Sequence, residues 1–283
     1  MIVKRIIEQR LSTTIFSISR LSGGDINSVY FLKTAKGNFV VKLNDKEKYP
    51  NMLQKEAKGL ELLGKRGVST PTVIDHFEHG DSQLIILDHI ESETPTRQFW
   101  LRFANDLSKL HQKDNPYFGL DHHNYIGSLH QDNSAKPSWE KFFVENRLVP
   151  LIKMGFDKAL LVKGHLAKFE HLFKMLPELI PDENPSLLHG DLWSGNLLCG
   201  QGQAPVFIDP AVYYGHREVD IAMTKMFGGF DQVFLSHYNE IYPLENGWEK
   251  RIEIHNLYPN LVHLNLFGKS YLSGIESVLN KVN

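Results

Sequence analysis

Short apolar runs with strand-like patterning fill the first ninety positions of the chain. Runs at 15–21 and 28–34 flank a cluster of turn-forming residues at 22–27, and a further run at 39–43 follows a second turn at 36–38. Runs of this length, separated by glycine, asparagine and serine, are typical of consecutive strands. The pattern therefore predicts three antiparallel strands at the start of the chain.

Helical spacing precedes the first of these strands and follows the third. Apolar residues recur every three or four positions over 2–11 and again from about 50 to 63. Two more strand-like runs lie near 72–77 and 83–88. The first part of the chain is thus predicted to be a small, mainly antiparallel β-sheet with one crossing helix and a helix at its N-terminus.

From about residue 91 onward the spacing of apolar residues is mainly helical. The predicted helices lie at 99–110, 138–152, 158–176 and within 218–280. Two short strand-like runs at 186–189 and 205–208 interrupt them. We therefore predict an α+β, bilobal protein, in which residues 1–90 form a small sheet lobe and residues 91–283 a larger, mainly helical lobe.

The amino-acid composition does not change the predicted fold, but it excludes several classes of protein. With 42% hydrophobic and 23% charged residues, the chain has the usual make-up of a folded globular protein. Its 31 basic and 33 acidic residues give a net charge of −2, without the basic excess of a nucleic-acid binding protein, so we expect no nucleic-acid partner. No apolar run reaches the roughly eighteen residues of a membrane span, and the charged N-terminus lacks a signal-peptide core. We expect no membrane association and a cytoplasmic location.

Two strand ends in the second half of the chain place carboxylates near an amide. Asp191 follows an apolar run, Asn196 comes five residues later, and Asp209 ends the run at 205–208. A turn at 199–202 would bring the three side chains to one edge. Phosphoryl transfer from ATP needs such a set, because one carboxylate orients the acceptor hydroxyl while an amide oxygen and a second carboxylate hold Mg²⁺. Either aspartate alone would be an ordinary turn former; the whole pattern predicts an ATP- and Mg²⁺-dependent phosphotransferase.

The first lobe offers matching residues for the phosphates of ATP. Lys42 ends an apolar strand, and Glu56 lies fourteen residues later in the predicted helix, where it could pair with the lysine. The Gly23-Gly24 turn could bring backbone N–H groups close to phosphate. Their order and spacing together support a nucleotide site.

These residues resemble the protein-kinase-like fold, and within it the small-molecule kinases of the aminoglycoside and choline kinase group. Protein kinases carry His-Arg-Asp where this chain has His-Gly-Asp at 189–191, and Asp-Phe-Gly where it has Asp-Pro-Ala at 209–211. The arginine that responds to activation-loop phosphorylation is therefore missing, which disfavours a regulated protein kinase.

Longer stretches resemble the fructosamine kinase (ketosamine-3-kinase) family. They are Gly-Gly-Asp-Ile-Asn at 23–27, His-Gly-Asp-Leu-Trp-Ser-Gly-Asn at 189–196, and Asp-Pro-Ala-Val-Tyr-Tyr-Gly-His-Arg-Glu-Val-Asp at 209–220, followed by Phe-Gly-Gly-Phe at 227–230. The segments 124–127 and 139–147 add to the likeness, which spans nearly the whole chain. The run 209–230 is far more specific than the general kinase pattern.

The resemblance implies ATP-dependent phosphorylation of the 3-hydroxyl of a ketosamine, a sugar joined to an amine. Because the 3-phosphate is unstable and releases the amine, this activity amounts to deglycation. Asp191 would be the catalytic base, and Asn196 and Asp209 would bind Mg²⁺. The implied substrate is a small-molecule or protein-bound ketosamine, and no residue indicates its sugar or an oligomeric state of the protein.

The same resemblance assigns the nucleotide site to the first lobe. Lys42, supported by Glu56, would bind the phosphates beneath the loop at 22–27, and the segment after the last strand would be the hinge that offers backbone groups to adenine. The loop residues are Gly23, Gly24, Asp25 and Asn27, and the hinge residues are Asp88, His89 and Ile90.

On the acceptor side, the resemblance implies that Trp193, His216 and Glu218 lie near the substrate. An indole face suits the apolar side of a sugar, but lobe packing explains Trp193 equally well. Glu218 has an alternative partner in Arg217, and Asp220 is a candidate for holding the catalytic loop by hydrogen bonds.

Two other functions are compatible with the same fold. One is a phosphotransferase acting on an aminoglycoside, a choline-like compound or another sugar hydroxyl, which the run 209–230 argues against. The other is a non-catalytic pseudokinase scaffold. The presence of every expected catalytic residue argues against the scaffold, since a pseudokinase normally lacks one of them. These residues are Lys42, Glu56, Asp191, Asn196 and Asp209.

Overall fold

The N-terminal part of the protein is a five-stranded sheet flanked by two helices. In this computed structural model, which describes residues 2–21 and 26–282, the helices are α1 (Ile2–Leu11) and α2 (Met52–Lys65), and the strands are β1 (Ile15–Arg20), β2 (Ser28–Thr34), β3 (Gly37–Asp45), β4 (Val73–His79) and β5 (Ser82–Asp88). Neighbouring strands are antiparallel, in the order β1-β2-β3-β5-β4. The predicted antiparallel sheet with one crossing helix is confirmed.

Strand β5 is buried on both faces of the sheet. Leu84 and Ile86 pack on the face that α1 covers, and Ile85 and Leu87 on the face that α2 covers. Lys42 of β3 lies directly opposite Ile85 in the β3–β5 ladder. Because paired residues of adjacent strands share a face, the Lys42 side chain extends on the α2 side of the sheet.

The C-terminal part is mainly helical, with short strand pairings inside it. Its helices are α3 (Arg97–His111), α4 (Trp139–Phe142), α5 (Val149–Asp157), α6 (Lys163–Leu179), α7 (Glu218–Met226), α8 (Gln232–Ile241), α9 (Trp248–His255), α10 (Leu257–Phe267) and α11 (Leu272–Val282), and a π-helical segment (Phe143–Leu148) joins α4 to α5. Its strands are β6 (Asn124–Ile126), β7 (Leu129–Gln131), β8 (Ser186–Leu188), β9 (Leu197–Gly200), β10 (Ala204–Phe207) and β11 (Tyr213–Gly215). β6 pairs with β7, β8 with β11, and β9 with β10, all antiparallel. Isolated bridges add to these pairs, among them one between Gly119 and Tyr214.

The structure refines the predicted helices. The stretch predicted at 138–152 continues to Asp157, because Pro150 occupies the first turn of α5, where a missing N–H breaks no helical hydrogen bond. The stretch within 218–280 divides into five helices. The short strands β6, β7 and β11 carried no sequence signal strong enough to predict them.

The largest core cluster lies in the helical part and supports the end of β10. Phe103 of α3 lies 5.6 Å from Phe207 of β10 and 4.6 Å from Phe234 of α8, measured between ring centroids. This aromatic packing fixes the strand that leads into Asp209. Within the described residues, no helix combines the length and apolarity that crossing a bilayer requires.

Gly119 shows how closely backbone segments are packed around β11. It exchanges two backbone hydrogen bonds with Tyr214, both 2.9 Å, and its φ is +121°. A Cβ atom here would lie 2.5 Å from the carbonyl oxygen of Asn133. Gly37, in the β2–β3 turn, has a similar φ of +127° but no atom within 4 Å of such a Cβ.

We expect Gly119→Ala to lower the free energy of unfolding by about 2–4 kcal/mol, since backbone strain and a clash both contribute. Gly37→Ala should cost only about 1 kcal/mol, because strain alone acts there. Urea unfolding of the two variants measures the difference. Equal costs would contradict the close packing described around Gly119.

Candidate active site

A buried lysine connects the sheet to the helical part. The Nζ of Lys42 donates to Oε1 of Glu56 on α2 at 2.7 Å and also contacts Oδ1 of Asp209. Burial opposes the charge of Lys42, but the carboxylates of Asp209 and Glu56 outweigh it and hold the pKa of Lys42 above its ordinary value. The structure thus brings together three of the predicted residues, two from the sheet part and one from the end of β10.

The loop between β8 and β9 carries Asp191 and Asn196. The Asn196 side chain donates from Nδ2 to Oδ2 of Asp191 at 3.0 Å and to its carbonyl oxygen at 2.8 Å. Burial, followed by the nearby charge of Asp209, raises the pKa of Asp191 to about 7. Asp191, Asn196 and Asp209 all line one cleft, as their spacing in the sequence predicts.

Backbone hydrogen bonds lock this loop in place. Oδ2 and Oδ1 of Asp220, in the first turn of α7, accept from the N–H groups of His189 and Gly190 at 2.8 and 2.9 Å. His111 of α3 donates from Nε2 to Asp220 at 3.2 Å. Asp220 therefore holds the loop that carries Asp191, in agreement with the hypothesis made for it from the sequence. Gly190 is required there, because a Cβ would lie 2.1 Å from the Ala211 carbonyl oxygen.

His189 joins the two strand ends that carry the carboxylates. Its Nε2 donates to the carbonyl oxygen of Ile208 at 2.9 Å, and its Nδ1 accepts from the N–H of Asp191 at 3.3 Å. The ring therefore fixes the residue before Asp209 relative to Asp191. This positioning role was not predicted, although the sequence places His189 two residues before Asp191.

The carboxylate of Asp209 and the amide of Asn196 form an oxygen donor set that suits Mg²⁺. Both side chains line the cleft, and within the described residues the Oδ1 of Asn196 accepts no hydrogen bond. That oxygen is consequently available as a ligand. The predicted residues fit the metal.

His216 and Glu218 do not lie where the sequence analysis predicts. Both are buried behind the cleft and do not line it. Arg251 of α9 donates to both carboxylate oxygens of Glu218, at 2.8 and 2.5 Å, and His255 donates to it at 3.2 Å. The prediction that these two side chains contact an acceptor in the cleft disagrees with this placement, because Arg251 and His255 of α9 hold Glu218 away from the cleft.

The alternative pairing of Arg217 with Glu218 is wrong. Arg217 binds Glu183 instead, with a shortest distance of 2.9 Å, and also donates to two backbone carbonyl oxygens after α8. Glu183 precedes β8 and lies 34 positions earlier in the chain, so no local pattern indicates this partner.

His216, Glu218 and His255 are nevertheless close enough to be considered as a metal site, since their ligand atoms lie within 4.8 Å of one another. Arg251 already neutralises Glu218, and a divalent cation would face that guanidinium at short range. The charge balance therefore favours a structural cluster.

Trp193 lines the cleft next to Asp191 and is 39% exposed. Its ring meets Phe227 edge to face, with centroids 6.0 Å apart. The ring also lies directly over Gly195, where a Cβ would overlap it. The indole is thus presented to the cleft, which has a volume of about 680 Å³.

The predicted hinge follows β5. The N–H of His89 donates to the carbonyl oxygen of Asn38 at 3.1 Å. Among the described residues, the N–H of Ile90 has no protein acceptor. Asn27 lines the cleft and accepts from Asn44 at 2.7 Å, whereas the predicted loop residues Gly23, Gly24 and Asp25 lie outside the described residues.

The whole chain is similar in sequence to known kinases of sugar–amine adducts. The family model for fructosamine kinase matches residues 1–283. The chain is 38% identical over 262 residues to a protein of Enterococcus faecium named "Probable ketoamine kinase", covering 91% of this chain and 92% of that protein. It is 33% identical to the chloroplastic protein-ribulosamine 3-kinase of Arabidopsis thaliana, covering 97% of this chain and 85% of that protein.

Solved structures agree with the sequence relatives. A crystal structure from Thermobifida fusca, assigned as a fructosamine-3-kinase, has a TM-score of 0.88 at 30% identity and covers 99% of this chain and 98% of its own. A ternary complex of aminoglycoside phosphotransferase APH(4)-Ia with AMP-PNP and hygromycin B has a TM-score of 0.67 at 14% identity, covering 98% of this chain and 97% of its own. The second likeness concerns the fold alone and confirms the predicted protein-kinase-like class.

The burial of His216 behind the cleft can be tested through the pH dependence of the protein's stability. Burial, followed by the charge of His255, lowers the pKa of His216 to about 4, whereas an unfolded histidine titrates near pH 6.5. Between these values the unfolded chain binds a proton that the folded protein does not. Stability from this group is therefore complete above about pH 6.5 and falls as the pH drops towards 4.

We expect His216→Leu to reduce the loss of unfolding free energy between pH 7 and pH 5 by about 2 kcal/mol. Urea unfolding at the two pH values measures this loss. His79→Leu is the control, because His79 is exposed at the end of β4 and is solvated in both states. A pH dependence identical to that of the unsubstituted protein would contradict the buried neutral state of His216.

Proposed function

This chain belongs to the fructosamine kinase family, and from that premise we propose that it transfers the γ-phosphoryl group of ATP to the 3-hydroxyl of a ketosamine. The observation that carries the proposal is the cleft in which Lys42, Glu56 and Asp209 meet Asp191 and Asn196. This set supplies phosphate binding, metal ligands and a base, the parts that phosphoryl transfer requires.

Asp191 acts as the general base in this mechanism. Its carboxylate accepts the proton of the 3-hydroxyl while the freed oxygen forms a bond to the γ-phosphorus. The bond from that phosphorus to the bridging oxygen breaks, and ADP leaves with the electron pair. The hydrogen bond from Asn196 at 3.0 Å and the backbone lock by Asp220 orient the base for this proton transfer.

Lys42 binds the ATP phosphates, and Glu56 orients it. Asn27, which lines the cleft, is the residue of the proposed phosphate loop that lies within the described part of the chain. We assign adenine recognition to the hinge, where the carbonyl oxygen of Asp88 and the free N–H of Ile90 provide an acceptor and a donor. Backbone recognition of this kind does not depend on the side chains of Asp88 and His89.

Asn196 and Asp209 are the residues that would hold Mg²⁺. When bound there, the ion neutralises charge on the phosphates as it develops during transfer. Lys42 contacts Asp209 in this structure. A bound phosphate would replace Asp209 as the partner of Lys42, and a bound cation would replace Lys42 as the partner of Asp209.

The substrate is a ribulosamine or fructosamine, either free or attached to a protein side chain, and its product releases the amine. A cytoplasmic location and the absence of a nucleic-acid partner stay predictions from the sequence. The two alternative functions, a phosphotransferase for aminoglycosides or choline-like compounds and a non-catalytic scaffold, have less support. The likeness to aminoglycoside phosphotransferases concerns fold alone, and a scaffold does not require the assembled set of catalytic side chains.

We expect MgATP to be consumed with ribulose-lysine or fructose-lysine, but not with choline or an aminoglycoside. Phosphorus NMR should show a sugar 3-phosphate that decays with release of lysine. Asp191→Asn should lower kcat by about 10²–10⁴ while ATP binding persists, because only the base is lost. Phosphate appearing on choline or the aminoglycoside alone would overturn the substrate class, and full activity of Asp191→Asn would overturn the role of the base.

Asp209→Asn tests the metal site. We expect the ratio of ATP dissociation constants measured in EDTA and in Mg²⁺ to fall close to one, because a charged ligand of the ion is lost. Glu56→Gln is the matched control, since it also removes a carboxylate partner of Lys42 but no metal ligand. Titration calorimetry measures both ratios. If the two variants behave alike, Asp209 acts through Lys42 and not through the metal.

A further inference from the structure

One end of the cleft is lined by aromatic side chains that phosphoryl transfer does not use. The ring of Phe227, after α7, lies between Trp193 and His263 of α10, at centroid distances of 6.0 and 5.3 Å. Phe267, at the end of α10, continues the row 5.5 Å from His263. We call these four side chains the aromatic wall; all of them line the cleft.

The aromatic wall is unusually open to solvent for its composition. Phe227 and Phe267 are 45% and 52% exposed, and Trp193 is 39% exposed. Single exposed apolar residues are common, but a contiguous row that opens into a cavity marks a binding surface. The wall begins at Trp193, two residues after the proposed base, and both side chains line the same cleft.

The wall carries no charge. Within residues 2–21 and 26–282, the charged side chains that line the cleft are Lys55, Glu56, Asp191 and Asp209, and none of these belongs to the wall. His263 donates from Nδ1 to the carbonyl oxygen of Pro259 at 2.6 Å, and burial lowers its pKa. The ring is consequently neutral near pH 7 and presents a face with a single acceptor nitrogen, Nε2.

We propose that the aromatic wall is the subsite for the group attached to the amine nitrogen of the ketosamine, and that it selects an uncharged, apolar group. This inference rests on the proposed function. The sugar must place its 3-hydroxyl at Asp191, and its other hydroxyls would lose their hydrogen bonds to water against a wall with one acceptor. The remaining part of the substrate, beyond the amine, is the part that matches the wall.

An amino acid joined to the sugar through its α-amino group is disfavoured by the same chemistry. Its carboxylate would lie directly against rings that offer no counter-charge, and burying an unpaired charge is costly. An alkyl or aryl group, or the methylenes of a lysine joined through its ε-nitrogen, would instead cover the exposed faces of Phe227 and Phe267.

Lys55 provides the competing possibility. Its Nζ lies 4.8 Å from the ring centroid of Tyr125, and in the described part of the chain it forms no salt bridge with a carboxylate. A substrate with an anionic amine component could use this lysine instead of the aromatic wall. The choice between the two surfaces can be measured.

The experiment compares ketosamines of benzylamine and methylamine, made with whichever sugar, ribulose or fructose, turns over faster. These substrates share the sugar and the cationic nitrogen and differ only in the phenyl group. We expect kcat/KM to favour the benzylamine compound by at least about tenfold. Phe267→Ala and Phe227→Ala should each lower that preference about three- to tenfold.

Phe16→Ala is the matched control. Phe16 is 64% exposed on β1 and does not line the cleft, so its removal should leave the preference unchanged. Equal losses for both substrates in Phe267→Ala would overturn the proposal, because the ring would then support the sugar or the fold. The ketosamine of glycine, which has an anionic amine component, is measured beside these two substrates. A preference for it over the benzylamine compound that disappears in Lys55→Met would overturn the proposal as well.

Failure of the proposed function is distinguishable from failure of this inference. If neither ketosamine is phosphorylated, the dissociation constants of both compounds are measured by calorimetry in the presence of AMP-PNP. Tighter binding of the benzylamine compound that is lost in Phe267→Ala supports the subsite without any turnover. Equal or undetectable binding of the two compounds overturns it.

Discussion

The buried ion pair of Lys42 with two carboxylates is the constraint on which the site depends. An isolated ammonium group in this position would cost several kcal/mol in lost hydration, and Glu56 and Asp209 together offset that cost. Glu56 arrives on α2, and Asp209 arrives from β10 of the helical part. The charge of one side chain therefore favours the arrangement in which sheet, crossing helix and catalytic strands meet, which is also the arrangement that phosphoryl transfer requires.

A second buried carboxylate, that of Asp220, fixes the position of a loop inside the helical part. Asp220 satisfies two backbone N–H groups of the catalytic loop and is itself held by His111, which accepts from Tyr238 at 2.8 Å. If the loop moved away, the buried carboxylate of Asp220 would lose these two hydrogen bonds, and an unpaired carboxylate is costly in a buried position. His189 then couples the loop to the residue before Asp209. The proposed base, Asp191, and the proposed metal ligand, Asp209, are thus positioned by side chains that need not touch any substrate.

The sequence indicated those parts of the site that depend on local pattern. A lysine at the end of an apolar strand, followed fourteen residues later by a glutamate in the predicted helix, indicates the pair Lys42 and Glu56, and strand ends followed by carboxylates locate Asp191 and Asp209. Contacts between distant segments gave no such signal. Arg217 chooses Glu183 over its neighbour Glu218, which is held by Arg251 of α9. The residues of α10 that line the cleft were also missed, because their apolar run has the composition of an ordinary core helix.

The cleft as a whole separates charge from apolar surface, and this separation matches the two substrates. Its carboxylates, two of which contact Lys42, form the charged part, where we place the phosphates of ATP. The aromatic wall forms the apolar part and carries no charge. A ketosamine has its positive charge on the nitrogen between sugar and amine substituent, so in the proposed orientation that charge lies between Asp191 and the face of Trp193. Both groups stabilise a cation, the first by Coulomb attraction and the second through its ring quadrupole. The ammonium is thus favoured at the boundary of the two regions, and this preference orients the substrate with its 3-hydroxyl towards the base.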